Sequence, residues 1–361
     1  GLGDPAGKDG TASLYTDLIQ KGAGNRTAAQ FAEAIENVGG SLSAGAGTES
    51  IGVSASFMSR DVDLMLELVA DVLQRPRLDL AEFEKARVLA VQSIVAAKDA
   101  DPRALMSSYG DAWLFRGHPY GRSVGGSEAT LAAVTLDDIR RYYTEQVGGD
   151  RMIITVVGDF DSATLLRQLE RSFGTWRKAG APLPTVPPPA RVTGRSVLLV
   201  DKPGATQTYF WLGNVGASRT DPERTVQTVV NTVFGGRYTS MLNTELRMKS
   251  GLTYGAGSGF DRLAQPVFAG QAFGVPALEE DVVHALTPLD TKEPGFLGRE
   301  RAGPGNRAQA EGTRPADDLA PNLAGADDPQ RLAEEPVRFG RLLLVPLVRA
   351  ERRDVVRDSP V

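Results

Sequence analysis

No helix or central strand can run through Lys178–Gly194, KAGAPLPTVPPPARVTG, because proline lacks the amide donor and fixes φ. Apolar residues recur at helix and strand periods on either side of it. The chain therefore reads as two globular segments, 1–180 and 196–275, joined by a proline-rich linker over 181–195. Its 361 residues suffice for two buried cores.

In the first segment the pattern predicts a helix over Thr11–Gln20 and another from Thr27, with Phe31, Ile35 and Val38 on one face before Gly39-Gly40. Ile51, Val53, Ala55 and Phe57 alternate as a half-buried strand. A helix over Asp61–Gln74 turns Met65, Leu66, Val69 and Leu73 inward and ends at Pro76. A long helix follows over Asp79–Lys98, and Pro102 opens the next. Thr135 with Asp138 forms a capping box before Ile139 and Tyr142-Tyr143, and Met152–Val157 is a strand. In the second segment Ser196–Val200, Thr206–Leu212 and Leu252–Gly259 read as strands, Asp221–Phe234 and Thr239–Lys249 as helices. Mixed strands and helices in both halves mark an α+β or α/β layer architecture, not a bundle or sandwich. From about Pro276 prolines and arginines multiply, Tyr and Trp vanish, and no period persists. Residues 276–361 read either as a disordered Pro/Arg-rich tail or as sequence translated out of frame.

Composition excludes several functions. A net charge of −5, with 40 basic against 45 acidic residues, supplies no field for nucleic acid and no polybasic membrane patch. No apolar run reaches the roughly 18 residues of a membrane span. The absence of cysteine removes disulfides, thiolate nucleophiles and Cys-type zinc sites. The two histidines, His118 and His284, stand too far apart in sequence for a helical ligand pair. Gly45-Ala46-Gly47 lacks the Gly-Lys-Ser/Thr of a phosphate cradle and reads, with Gly39-Gly40, as a tight connection. Phe234-Gly235-Gly236-Arg237 reads as a turn between helices, and His118 in His118-Pro119-Tyr120-Gly121 as structural. A Ser13, His118 and Asp17 triad can be assembled only from residue types. Gly1 in place of methionine, without a basic or apolar leader after it, points to a processed or truncated chain.

Five phrases in order, DPAGKDGTASLYTDLIQKGAGNRT, IENVGGSLSAGAGTESIGVSASF, HPYGRSVGGSEATLAAVTLDDIRRYY, VVGDFD and VFGGRYTSMLNTELRMKSGLTYGAGSGF, resemble the insulinase/pitrilysin family of zinc peptidases. The branch is that of the mitochondrial processing peptidase and its two-subunit bacterial relatives. The resemblance covers about residues 3–275. It implies an α+β fold of two homologous domains, each a mixed or antiparallel sheet with helices on one face. By that pattern the first domain lacks its opening strand and the second is incomplete.

The family's zinc motif, H-x-x-E-H, sets two histidines on one helical face with a glutamate beside the bound water. Here Ser13, Thr16 and Asp17 keep the spacing without the chemistry. The later glutamate ligand falls at Ser93 and its supporting glutamate at Ala86. The resemblance therefore implies no metal in this chain, with zinc in a partner subunit of the same family. It also assigns Arg247 and Tyr254 to the pair that reaches substrate across the chamber, a forked cation and a hydroxyl suited to a peptide carbonyl. Without the family context, Arg247 is a cation at a helix C-terminus and Tyr254 a half-buried strand residue. The expected role is that of a non-catalytic subunit closing on a zinc-bearing partner around a peptide substrate. The rivals are a structural or peptide-binding subunit outside proteolysis and a nonfunctional fragment. The compartment is unknown; a bacterial periplasm or envelope follows only by resemblance.

Overall fold

The computed structural model describes residues 1–276, apart from 101, 195, 201 and 203–206, together with 339–346. Among these residues, two sheets with their helices lie in one compact unit.

The first sheet takes shape around α1 (Thr11–Ile19), the hairpin β1 (Gly22–Ala23) and β2 (Arg26–Thr27), and α2 (Ala28–Glu36). Strands β3 (Ser41–Ala46) and β4 (Ile51–Met58) follow, then α3 (Val62–Gln74), α4 (Leu80–Ala100), α5 (Met106–Leu114), α6 (Glu128–Ala133) and α7 (Leu136–Gln146). β5 (Met152–Val157) and α8 (Ser162–Phe173) complete this half. Val53, Ala55 and Phe57 of β4 are buried, as their alternation requires. They join Leu14, Tyr15 and Leu18 of α1, Phe31 of α2 and Met65, Leu68 and Val69 of α3 in one core. Thr27 and Gln30 form a capping box on α2, and Thr135 and Asp138 one on α7. Left-handed Gly39, φ 63°, stops α2.

The second sheet contains β6 (Gln207–Val215), β7 (Ala256–Arg262) and β8 (Pro266–Pro276), in antiparallel order β6-β8-β7. Between β6 and β7 lie α9 (Arg224–Phe234) and α10 (Met241–Asn243), which continues as a π-helical turn over Thr244–Lys249. Helix α5 of the first half packs on β6. Gly110 makes this possible, since a Cβ there would come within 2.8 Å of the Trp211 indole. Glu49, with its side chain covered, ties the same halves together: it accepts from Tyr120 Oη at 2.6 Å and the Ala264 amide at 2.9 Å, and pairs with Arg219. The two sheets flanking the proline-rich stretch thus belong to one compact unit.

Three expectations need correction. Ser196–Val200 forms no strand: among the described residues it pairs with none, and Val197 and Leu199 are 85% and 86% exposed. Gly45-Ala46 is not a mere connection but the end of β3, paired with Gly52 and Ile51 across a hairpin. The strand expected from Leu252 begins only at Ala256.

A ninth strand, β9 (Phe339–Pro346), comes from within the expected tail. It lies between β4 and β5 in the order β3-β4-β9-β5, antiparallel to both. Residues 276–361 therefore include a regular element, drawn in by hydrogen bonding that no local period reveals. The reading of 277–338 and 347–361, and His284, lies outside the described residues.

Candidate functional site

Two places carry the residues singled out in the sequence. The first is the packed pair α1 and α4. Asp4 holds the start of α1, accepting from the Gly10 and Ala12 amides at 2.9 Å each. Gln20 ties its end to β3 through the Ala44 carbonyl at 3.2 Å. Along this fixed helix Ser13 is half-buried and Thr16 buried, with the Thr16 hydroxyl donating to the Ser13 carbonyl at 2.8 Å. Asp17, one turn after Ser13 on the same face, is exposed; crowding by the chain raises its carboxyl pKa, and Lys21 pulls it back. On α4, Ser93 is exposed and Ala86 packs against the core.

Zinc requires imidazole, thiolate or carboxylate donors. Of these positions only Asp17 offers one, and the Thr16 hydroxyl is spent within its own helix. The residues present do not fit the ion. Among the described residues no three His, Asp or Glu side chains lie together to hold a metal. His118 has both ring nitrogens engaged: Nδ1 accepts from the Tyr120 amide at 3.1 Å and Nε2 lies 2.8 Å from the Pro187 carbonyl. That pairing assigns the proton to Nε2 and makes the residue a structural pin, not a member of a Ser13–Asp17 triad.

The second place is the end of α10. The π-helical turn closes with Leu252 N–H on the Leu246 carbonyl at 3.0 Å and Gly251 in the left-handed region, φ 64°. The chain reverses there and returns Tyr254 over Arg247, whose Cζ lies 4.5 Å from the ring centroid. Tyr238 covers Arg247 as well, at 4.9 Å. Tyr254 is 88% exposed, so stacking and not burial holds it, and the half-buried strand reading is overturned. The nearest acid on the helix, Glu245, is paired with Lys249 at 2.5 Å. Arg247 makes no ion pair among the described residues, leaving its edge N–H groups available to a carbonyl or carboxylate.

Tyr238 and Asn243 escape sequence reasoning. Buried Asn243 donates to the Tyr238 carbonyl at 2.6 Å and accepts from the Ala256 amide at 3.2 Å, joining the segments that carry the two tyrosines. Gly235, in the expected turn, leaves no room for a Cβ against Ser258, whose amide donates to the Gly235 carbonyl at 3.0 Å. The only sequence signal for either residue was its nearness to that turn.

The fold, antiparallel sheets with helices packed on them, is that of an α+β protein. Residues 2–128 match the family model for insulinase, peptidase family M16, and residues 133–287 the model for the peptidase M16 inactive domain. The chain belongs to the M16 insulinase family of peptidases and their homologues. An uncharacterised zinc protease of Mycobacterium leprae is 30% identical over 259 residues, covering 71% of this chain and 57% of that protein. A probable mitochondrial-processing peptidase subunit beta of Arabidopsis thaliana is 25% identical, covering 63% of this chain and 43% of that protein. The crystal structure of a peptidase M16 inactive domain from Pseudomonas fluorescens superimposes with a TM-score of 0.70 at 21% identity, covering 79% of this chain and 69% of that one. A protease from Helicobacter pylori does so at 0.71 and 20% identity, covering 79% and 70%. The chain spans a little over half the length of the M. leprae relative.

Proposed function

We propose that this chain is the non-catalytic subunit of a heterodimeric zinc peptidase, contributing chamber wall and substrate contacts to a partner of the same family that bears H-x-x-E-H. The observation that carries this reading is Arg247, stacked against two exposed tyrosine rings and without an acidic partner among the described residues. A forked cation kept in place by rings and free at its edge suits a peptide carbonyl, and the exposed Tyr254 hydroxyl adds a second donor. Support also comes from the donors on α1 and α4, which cannot hold zinc, and from homologues that are named zinc proteases. Zinc would then reside in the partner, and the peptide between the subunits.

The test is peptide hydrolysis by this chain, by an H-x-x-E-H partner and by the co-purified pair, with zinc quantified in each. Activity and zinc only in the pair, with the rate falling at least tenfold for Arg247→Ala or Tyr254→Phe, is the expected result. A pair whose rate ignores both substitutions would make the chain a structural or peptide-binding subunit. Zinc-dependent hydrolysis by this chain alone would refute the reading.

A further inference from the structure

Strands β4 and β5 are not hydrogen-bonded to each other; β9 separates them. Its register runs from Val53 opposite Leu344 to Met58 opposite Phe339 on one side, and from Met152 opposite Pro346 to Val157 opposite Arg341 on the other. Without β9 both neighbours would present unpaired backbone edges in the middle of the core sheet. The segment suits an interior strand. Leu342-Leu343-Leu344-Val345 is an uninterrupted apolar run, and Pro346, which has no amide to donate, stands at its end.

The connectivity is unusual for a central strand. No tight turn joins β9 to β4 or β5; it follows β8 of the other sheet only after residues 277–338. Nothing local therefore dictates which molecule supplies it, and a second copy offers the same backbone bonds in the same register. Exchange of an identical element between copies is a low-cost route to dimers.

We propose that the gap between β4 and β5 is a strand-acceptor site, and that residues 339–346 fill it in trans from a second copy as well as in cis, giving a strand-exchanged dimer. The ligand class is an extended segment with a four-residue apolar run. This stands independently of the role assigned to Arg247.

The absence of cysteine permits a direct test in the full chain. Ser54 lies opposite Leu343 on β4, and antiparallel partners are close enough for a disulfide. Chains carrying only Ser54→Cys and only Leu343→Cys are mixed, unfolded, refolded together and oxidised, beside the double variant at low concentration. The expected result is a crosslinked heterodimer from the mixture, mapped by mass spectrometry to residues 54 and 343, and an internal crosslink in the double variant. An internal crosslink with no heterodimer at any concentration would overturn exchange in trans. No specific crosslink in either case would overturn the acceptor site itself. Because a cysteine substitution can impair folding, the parent chain is also followed by light scattering. Growth of a dimer on refolding with rising concentration, suppressed by excess synthetic peptide of residues 338–347, is expected; a parent that refolds only as monomer would refute the proposal.

Discussion

Glu49 is the perturbation whose cost can be worked most directly. Its side chain is 5% exposed. It accepts from Tyr120 Oη at 2.6 Å, from the Ala264 amide at 2.9 and 3.1 Å, and from Arg219 at 2.8 Å. Arg219 is 45% exposed, so solvent screening reduces its share to about 0–1 kcal/mol. The hydroxyl and amide bonds end on a buried carboxylate and are worth about 1.5–3 kcal/mol each. Glu49→Ala removes the shared acceptor and strands the Ala264 N–H, for a loss of about 3–5 kcal/mol. Glu49→Gln retains one oxygen and should lose about 1–2 kcal/mol. Urea unfolding with Tyr120→Phe as the second arm of a double-mutant cycle should give a coupling of about 1–2 kcal/mol. A Glu49→Ala chain within about 0.5 kcal/mol of the parent at unchanged m-value, or strict additivity with Tyr120→Phe, would refute the idea that this carboxylate links the two halves.

Gly110→Ala should cost about 1–2 kcal/mol in thermal unfolding, since the clash with Trp211 outweighs alanine's helix preference of about 1 kcal/mol; stabilisation would show that Trp211 moves freely. Burial and the charge of Asp261 raise the Asp111 pKa to about 6, so this group's stabilisation is present in acid and lost as pH rises from about 4 to 6; Asp111→Asn should gain about 1–2 kcal/mol at pH 7 and flatten that slope in pH-dependent urea melts. For Asp138, burial favours the neutral acid, but hydrogen bonds from Lys8 and Thr135 prevail and lower the pKa; its stabilisation is present above the ordinary value of about 3.9 and fades below it, so Asp138→Asn should weaken the chain at pH 7 and narrow the difference in acid. Asn243→Ala should cost about 1–3 kcal/mol by leaving the Tyr238 carbonyl and Ala256 amide without their bridge, read as lost exchange protection at Ala256.

Much of the first half was legible locally. The alternation of Val53, Ala55 and Phe57, the apolar stripe from Met65 to Leu73 and the Thr135–Asp138 cap each name an element from a few adjacent residues, and the structure places each one there. The donor chemistry of Ser13, Thr16, Asp17 and Ser93 is equally a property of residue type, and no fold can turn it into a set of zinc ligands. Which apolar segment pairs with which was beyond the sequence: Ser196–Val200 and Leu342–Val345 carry similar runs, yet only the second lies in a strand. Strand pairing is settled by hydrogen bonds between distant residues, and a pattern of side chains specifies readiness to pair without specifying the partner. The same holds at Arg247, where a left-handed Gly251 and the bridge through Asn243 decide that Tyr238 and Tyr254 meet one guanidinium.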